Sequence, residues 1–412
     1  MADLTYIDLF AGAGGLSEGF IKEGFNPVAH VEMDANASCT LRTRLAFHHL
    51  IAKRKDHIYH SYLKKEISRT ELWKHLPEQK LNSVINAEIS DITISDIFKS
   101  IDVQLGTKKK VDLIIGGPPC QAYSLVGRSR DPHRMRGDKR NFLFRYYGQF
   151  LNRYKPEYFV FENVLGLLTA GNSLYLKQML KLFEELGYSV APPTVLNAEE
   201  YGVLQKRRRV ILIGKRSKGK FEFPMPEKIE NTWKTKRDLF FDLPKLRPGE
   251  ELHVAGYKKP INEYLQKSGI RNGIDFVTQH ITRDHNARDL EIYELAIEKW
   301  LKEKTRLKYT EIPGRLQTHK NKGVFLDRYK VVDPDGHSHT VVAHIAKDGH
   351  YYIYPDLNQV RSISVREAAR LQSFPDDFYF EGGRSAAFKQ IGNAVPPMMG
   401  QAIAKGLMIM LR

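Results

Sequence analysis

The chain has 412 residues, 42% hydrophobic and 11% aromatic, which is enough to bury a large core and to divide into two or three domains. Its 64 Lys and Arg outnumber 48 Asp and Glu, and the net charge of +16, with a pI near 9.5, favours a polyanionic partner such as nucleic acid. Only two cysteines, Cys39 and Cys120, exclude a disulfide framework or a four-cysteine zinc site, and the absence of a secretory leader or an apolar run of about 20 residues leads us to expect a soluble cytoplasmic protein.

In chain order, residues 5–10 read as a short buried strand, followed by a turn containing Gly12, Gly14 and Gly15 and a helix over 17–23. A second strand over 27–32 leads into a helix from Asp34 onward. Residues 47–82 are polar, with His48, His49, His57 and His60 among lysines; this spacing specifies no metal cluster and reads as a solvated helical insertion. Strands over 111–115, 158–161, 188–196 and 209–214, with a helix over 174–186, continue the alternation and predict an α/β fold with a mostly parallel, doubly wound sheet. After about Lys215 that rhythm gives way to a long basic region reaching about Asp356, a composition shift that marks a second domain. Helices over 364–372 and 398–411 follow, where the chain is expected to return to the first domain.

Three segments carry chemistry. The turn Asp8-Leu9-Phe10-Ala11-Gly12-Ala13-Gly14-Gly15 lets backbone approach a ligand and aims helix N-terminal amides at it, and Glu32 ends the next strand, where an acid accepts from both hydroxyls of a ribose. Together they point to an adenosine-containing ligand without deciding which, and a dehydrogenase is the competing reading at this stage. The run Gly116-Gly117-Pro118-Pro119-Cys120-Gln121 follows a strand, so Cys120 opens a loop on the ligand edge. A cysteine there is either a small core hydrophobe or a nucleophile. Glu162 ends the following strand at the same edge, and in Gln205-Lys206-Arg207-Arg208-Arg209 strand alternation places Arg207 and Arg209 on one face. A thiol, a carboxyl group and two guanidinium groups can thus converge.

With these segments in view, the chain resembles the cytosine-5 DNA methyltransferase family. The similar stretches are 8–15, Glu32, Asp91-Ile92, 118–121, 162–164, 205–209, 366–372 and 392–396, in the family's order. The resemblance implies a Rossmann-like class I methyltransferase domain, residues 1–220 with 385–412, and a target recognition domain with packing support over 221–384. It implies S-adenosyl-L-methionine as cofactor, surrounded by Phe10, Gly12, Ala13, Gly14, Gly15, Glu32, Met33, Asp91, Ile92, Gly117, Pro119, Leu143, Asn393 and Val395. Met33, where many members carry an aromatic residue, and Ser90, where glycine is common, depart from the family pattern at the adenine contacts.

The implied catalytic residues are Cys120, Glu162, Arg207 and Arg209. Cytosine C5 is a poor nucleophile, so a thiolate must first add to C6, and a protonated Glu162 beside N3 assists that addition. The loop 121–144 is rich in cations, and Gln121, Ser124, Arg128, Arg134, Arg136 and Arg140 are expected to close on an extruded nucleotide of duplex DNA. The segments 280–285 and 340–344 are read equally as DNA contacts or as structural parts. A restriction endonuclease is the expected functional counterpart, without a stable complex, and the enzyme is expected to be a monomer. The competing functions are methylation of cytosine in tRNA and non-catalytic DNA binding.

Overall fold

The computed structural model describes residues 4–108, 110–119, 143–171, 173–318 and 326–411. Its first half builds one sheet. Strand β1 (Thr5–Leu9) is followed by helix α1 (Gly15–Lys22), and β2 (Asn26–Glu32) by α2 (Ala35–Ala52). The insertion contributes α3 (Asp56–Leu63), α4 (Arg69–Lys74) and α5 (Glu78–Asn82); then come β3 (Val84–Asn86), α6 (Ile94–Leu105), β4 (Leu113–Gly116), α7 (Leu143–Tyr154) and β5 (Tyr158–Asn163). After α8 (Gly166–Thr169) and α9 (Leu174–Glu185), the sheet is completed by β6 (Ser189–Val190), β7 (Thr194–Asn197) and, past the short β8 (Gln205–Lys206), β9 (Arg208–Lys215).

Five strands run parallel in the order β3-β2-β1-β4-β5, and β9 adds antiparallel to β5 with β6 and β7 on its far edge. The strand order reverses between β1 and β4, whose ends meet at Leu9 and Gly116, so a ligand crevice opens beyond those carboxyl ends. Parallel strands need cover on both faces. Ile7, Leu9 and Phe161 pack with Ile97, Ile101, Tyr147 and Phe183 on one side. On the other, Tyr6, Ile115 and Val160 pack with Phe20, Met399, Ile403 and Leu407.

Three of the boundaries that differ from the sequence reading have a local reason. The strand expected over 188–196 is two strands, because Pro192 and Pro193 have no N–H to extend the ladder beyond Ala191. The first helix starts at Gly15 rather than 17, because Gly14 turns the chain left-handed at φ 82°. The fifth strand runs on to Asn163 and carries Glu162 within it.

The insertion is helical, as expected, but it is docked rather than merely solvated. Tyr59, Leu63 and Leu72 are fully buried in a cluster with Phe47, Ile274 and Phe276. The Tyr59 hydroxyl donates to Asp377 O at 2.8 Å, the Tyr62 hydroxyl to Glu381 Oε1 at 2.6 Å, and Arg69 pairs with Glu381 at 3.3 Å.

The region beyond β9 contains an antiparallel pair, β10 (Glu251–Gly256) and β11 (Phe276–Ile281), separated by α10 (Glu263–Lys267), then α11 (Ala287–Glu303) and β12 (Ser338–His339). β12 pairs with β8, which joins this region to the edge of the sheet. A second core gathers Leu239, Val277, Val341, Ile363, Phe374, Phe378 and Ile391, and includes Ala13 and Leu204 from the first half. Three helices close the chain: α12 (Val365–Leu371), α13 (Arg384–Asn393) and α14 (Pro397–Leu411). Residues Arg384–Leu411 have the length and apolar content of a membrane span, yet the chain breaks between α13 and α14, and α14 packs against the sheet as a core helix.

Candidate active site

The turn after β1 is shaped by close approach. A Cβ at Gly14 would lie 2.7 Å from Leu41 Cδ2, and one at Gly15 would lie 2.3 Å from Val395 O, so the glycines admit neighbouring backbone and draw the 394–396 segment onto the turn. Glu32 faces this turn. Its Oε2 accepts from Gly12 N–H at 2.8 Å and its Oε1 from Asp34 N–H at 2.7 Å, which fixes the carboxylate while leaving lone pairs for a ligand's hydroxyls. Burial raises its pKa, and the two amides oppose that shift.

Beside Glu32, Met33 is 61% exposed and Ile92 90% exposed, an apolar pair left open at the sheet edge. Asn86 Nδ2 donates to the carbonyls of Glu32 and Met33 at 2.9 and 3.0 Å and braces the strand end. Asp91 is exposed and hydrogen-bonded by the Tyr146 hydroxyl of α7, a residue the sequence reading did not single out. Asp8, one strand position before Leu9, has Oδ2 buried with no hydrogen-bond partner among the described residues, and burial together with the Glu32 charge pushes its pKa well up. Glycine-lined backbone, a fixed carboxylate with free lone pairs and exposed apolar side chains fit an adenosine-bearing sulfonium ligand. Two expected cofactor residues face elsewhere: the side chain of Ala13 is buried in the second core and that of Val395 in the sheet core, so only their main chains border the turn. Phe10 is half-buried at φ 56°, Leu143 opens α7 and Asn393 ends α13, exposed.

The second half of the site lies beyond β4 and β5. A Cβ at Gly117 would lie 2.4 Å from Glu162 Oε2, so the carboxyl group rests on the Gly117 backbone. Asn163 Nδ2 donates to Pro118 O at 3.3 Å, tying the rigid Pro118-Pro119 approach to the end of β5. Cys120, Gln121, Ser124, Arg128, Arg134, Arg136 and Arg140 lie outside the described residues. Pro119 is the last described residue before them, and Glu162 rests on the backbone two residues earlier, at Gly117.

The two arginines do not share a strand face, because the ladder breaks at Arg207, between β8 and β9. Arg209 Nε lies 2.7 Å from Glu162 Oε1, with both side chains 12% exposed. Arg207 is fully buried. Its Nη1 donates to Val341 O at 2.6 Å and its Nη2 to Gly392 O at 3.2 Å, while Nε has no partner among the described residues. Burial, then the Arg209 charge, drives its pKa well down. Arg209 therefore holds the carboxyl group, and Arg207 ties that centre to the segments around 341 and 392.

Of the segments left open between DNA contact and structure, His280 is structural. Ser364 Oγ accepts from Glu367 N–H, so its own proton goes to His280 Nδ1 at 2.8 Å, and His280 Nε2–H donates to Pro244 O at 2.9 Å. Thr340, just past β12, donates through Oγ1 to Lys206 O at 2.5 Å, which holds the end of β12 against β8.

The family model for C-5 cytosine-specific DNA methylase matches residues 4–68 and 59–408. The chain is 43% identical to Type II methyltransferase M.Bpa9945I of Bacillus paralicheniformis over 98% of each chain. It is 30% identical to Type II methyltransferase M1.HphI of Haemophilus parahaemolyticus, covering 99% of this chain and 87% of that one. The crystal structure of a putative DNA modification methyltransferase encoded within an E. coli prophage aligns over 99% of both chains with a TM-score of 0.65 at 24% identity, a likeness of fold. Because the family match runs through both halves of the site and through the region between them, the chain belongs to the C-5 cytosine-specific DNA methylases and is a DNA cytosine-5 methyltransferase that uses S-adenosylmethionine.

Proposed function

We propose that Cys120 is the nucleophile and that Glu162, Arg209 and Arg207 prepare the base for it. The Cys120 thiolate adds to C6 of an extruded cytosine, the C5=C6 electron pair moves to C5, and Glu162 protonates N3 while accepting from the exocyclic amine. S-adenosylmethionine, when bound, supplies the electrophilic methyl group that C5 takes up. Loss of the C5 proton to a base, with the N3 proton returned to Glu162, then expels the thiolate and restores the neutral ring. Arg209 holds Glu162 in place, and Arg207, with its donors on Val341 O and Gly392 O, positions that pair against the rest of the chain. The observation that carries this reading is the seat of Glu162 on Gly117, three residues before Cys120, with Arg209 at 2.7 Å.

In the same reading Glu32 binds the donor's ribose; Met33, Asp91 and Ile92 border its adenine; and the turn residues Phe10 to Gly15 with Gly117, Pro119, Leu143, Asn393 and Val395 complete the pocket. The loop bearing Gln121, Ser124, Arg128, Arg134, Arg136 and Arg140 closes over the extruded nucleotide of duplex DNA. Residues 221–384 choose the sequence, because groups that grip only the extruded base carry no information about its neighbours. The enzyme acts as a monomer in the cytoplasm, on the nucleoid, as the modification half of a restriction-modification pair.

The test of the chemistry is Glu162→Gln under single-turnover conditions with saturating donor and DNA. The rate is expected to fall by about 10²–10⁴-fold, the usual contribution of a positioned acid, with donor affinity retained. An unchanged rate would remove Glu162 from the mechanism.

A further inference from the structure

Arg283 and Arg384 have no part in the site described above. Arg283 follows β11, and its Nη2 donates at 2.8 Å to the carbonyl of Ala346, the last residue of a short 3₁₀ turn over Ala343–Ala346. Arg384 opens α13, and its Nη1 donates at 2.8 Å to Thr282 O, the carbonyl that immediately precedes Arg283. Two guanidinium groups are thus held on main-chain carbonyls, close enough for the Arg384 charge to act on Arg283.

Among the described residues the pair makes a single, long ion contact. The nearest carboxylate recorded for either is that of Glu251, 3.9 Å from Arg384 Nη1, and it also faces His253 at 3.4 Å. Asp348 faces Arg283 without ion-pair contact, its carboxylate accepting from His350 N–H at 3.1 Å, and Asp284 accepts from His285 N–H at 3.0 Å. Both Nε atoms are buried without a partner among the described residues, and each guanidinium spends one nitrogen on a carbonyl. Both hydrogen-bond acceptors are neutral carbonyls and the Glu251 carboxylate stays at 3.9 Å, so the two cations are incompletely compensated, and an anion bound between them lowers their mutual repulsion.

The pair also lies close to the reaction centre. Val341 O accepts from the buried Arg207, and Ala346 O, five residues on, accepts from Arg283. Five residues span at most about 17 Å, and a DNA strand rises about 3.4 Å per nucleotide. With the reach of the arginine side chains at either end added, an anion held by this pair falls within roughly one helical turn of the target cytosine. The turn between them packs on the end of α13, where a Cβ at Gly392 would lie 2.3 Å from Ala343 N, so it is not free to swing away.

We propose that Arg283 and Arg384 form a clamp for one backbone phosphate of the DNA substrate flanking the extruded cytosine. This inference rests on the reading that residues 221–384 face the DNA. The clamp fixes how the duplex lies over the centre and carries no sequence information.

The experiment uses the full chain. R283Q/R384Q and the charge-retaining R283K/R384K are compared with the native enzyme in binding a duplex that contains its methylation site, across a salt series. The Gln pair is expected to weaken binding several-fold at low salt and to flatten the log-log salt dependence by about 0.9, the value for one phosphate contact on duplex DNA. The Lys pair is expected to recover the slope. Single methylphosphonate substitutions along the duplex are expected to reveal one position, within roughly one helical turn of the target, at which the native enzyme loses affinity and the Gln pair does not. An unchanged slope in the Gln pair, equal slopes in the Lys and Gln pairs, or no such position would overturn the clamp. A changed methylation site in bisulfite sequencing would overturn it too, since it would mean base contact. If the clamp fails while exchange of residues 221–384 with a relative's region still moves the methylated site, the reading of that region stands without it.

Discussion

Glu162 and Glu32 show how main-chain geometry assigns different work to two carboxylates. Glu32 is gripped by two backbone amides and offers its remaining lone pairs outward, whereas Glu162 lies against a glycine and is held by a guanidinium. Both positions are legible in the sequence, because each acid stands at or next to the end of an apolar strand run. The division of labour between Arg207 and Arg209 is not. It depends on partners at 341 and 392, 134 and 185 residues from Arg207, that no local pattern announces. Tyr146 was missed for the same reason, since its partner Asp91 lies on another element.

Residue-scale electrostatics also predicts a pH dependence. His30 and His280 are buried and His339 is half-buried, all with pKa values lowered to about 4, in each case mainly by desolvation. In the unfolded chain these imidazoles titrate near 6.5. Between pH 6.5 and 4 the unfolded state therefore binds more protons, and stability falls as pH drops through that window. Thermal or urea unfolding should show a progressive loss from pH 7 to 5, and His280→Gln should reduce its steepness. A melting temperature that is flat over that range would contradict the assignment.

At the scale of elements, α12 organises the second core, and it does so with buried charge. Arg361 pairs with Glu367 at 2.8 Å, Arg366 donates to Thr278 O at 2.9 Å, and Arg370 reaches both Asp242 and Asp376 at 2.6 Å. Burial opposes ionisation at Arg370, but the two aspartates outweigh it and drive its pKa well up. Removing one member strands the others without compensation, so Arg370→Met is expected to cost about 3–5 kcal/mol of stability, the usual penalty for breaking a buried pair. A loss below about 1 kcal/mol in denaturant unfolding would show that the network is not coupled to folding. The capping box of Ser364 and Glu367 was visible as a local pattern, but the burial of three arginines was not, because composition alone assigns such residues to the surface. The docked insertion is a parallel case: Tyr59 and Tyr62 are inconspicuous in a polar stretch, and their acceptors lie 318 and 319 residues away.

For the molecule as a whole, the parallel sheet and its switch point follow from the order of apolar runs, and they place the crevice before any side chain is considered. The region after β9 was recognisable only as a change in composition, because its short strands and turns carry little periodicity of their own. Its assignment to sequence selection makes a separate prediction: exchanging residues 221–384 for the matching region of a relative with different specificity should move methylation to the relative's site in bisulfite sequencing. A soluble, active chimera that still modifies the original site would place specificity elsewhere.

The central claim is covalent catalysis at Cys120, and with only two cysteines in the chain it can be tested directly. Duplex DNA carrying 5-fluorocytosine at the target position has no C5 proton to release, so the enzyme and donor should yield a stable protein–DNA adduct. Peptide mass spectrometry should locate that adduct on Cys120, and Cys120→Ala should form none and methylate nothing. An adduct on Cys39, or methylation that survives in Cys120→Ala, would contradict the account.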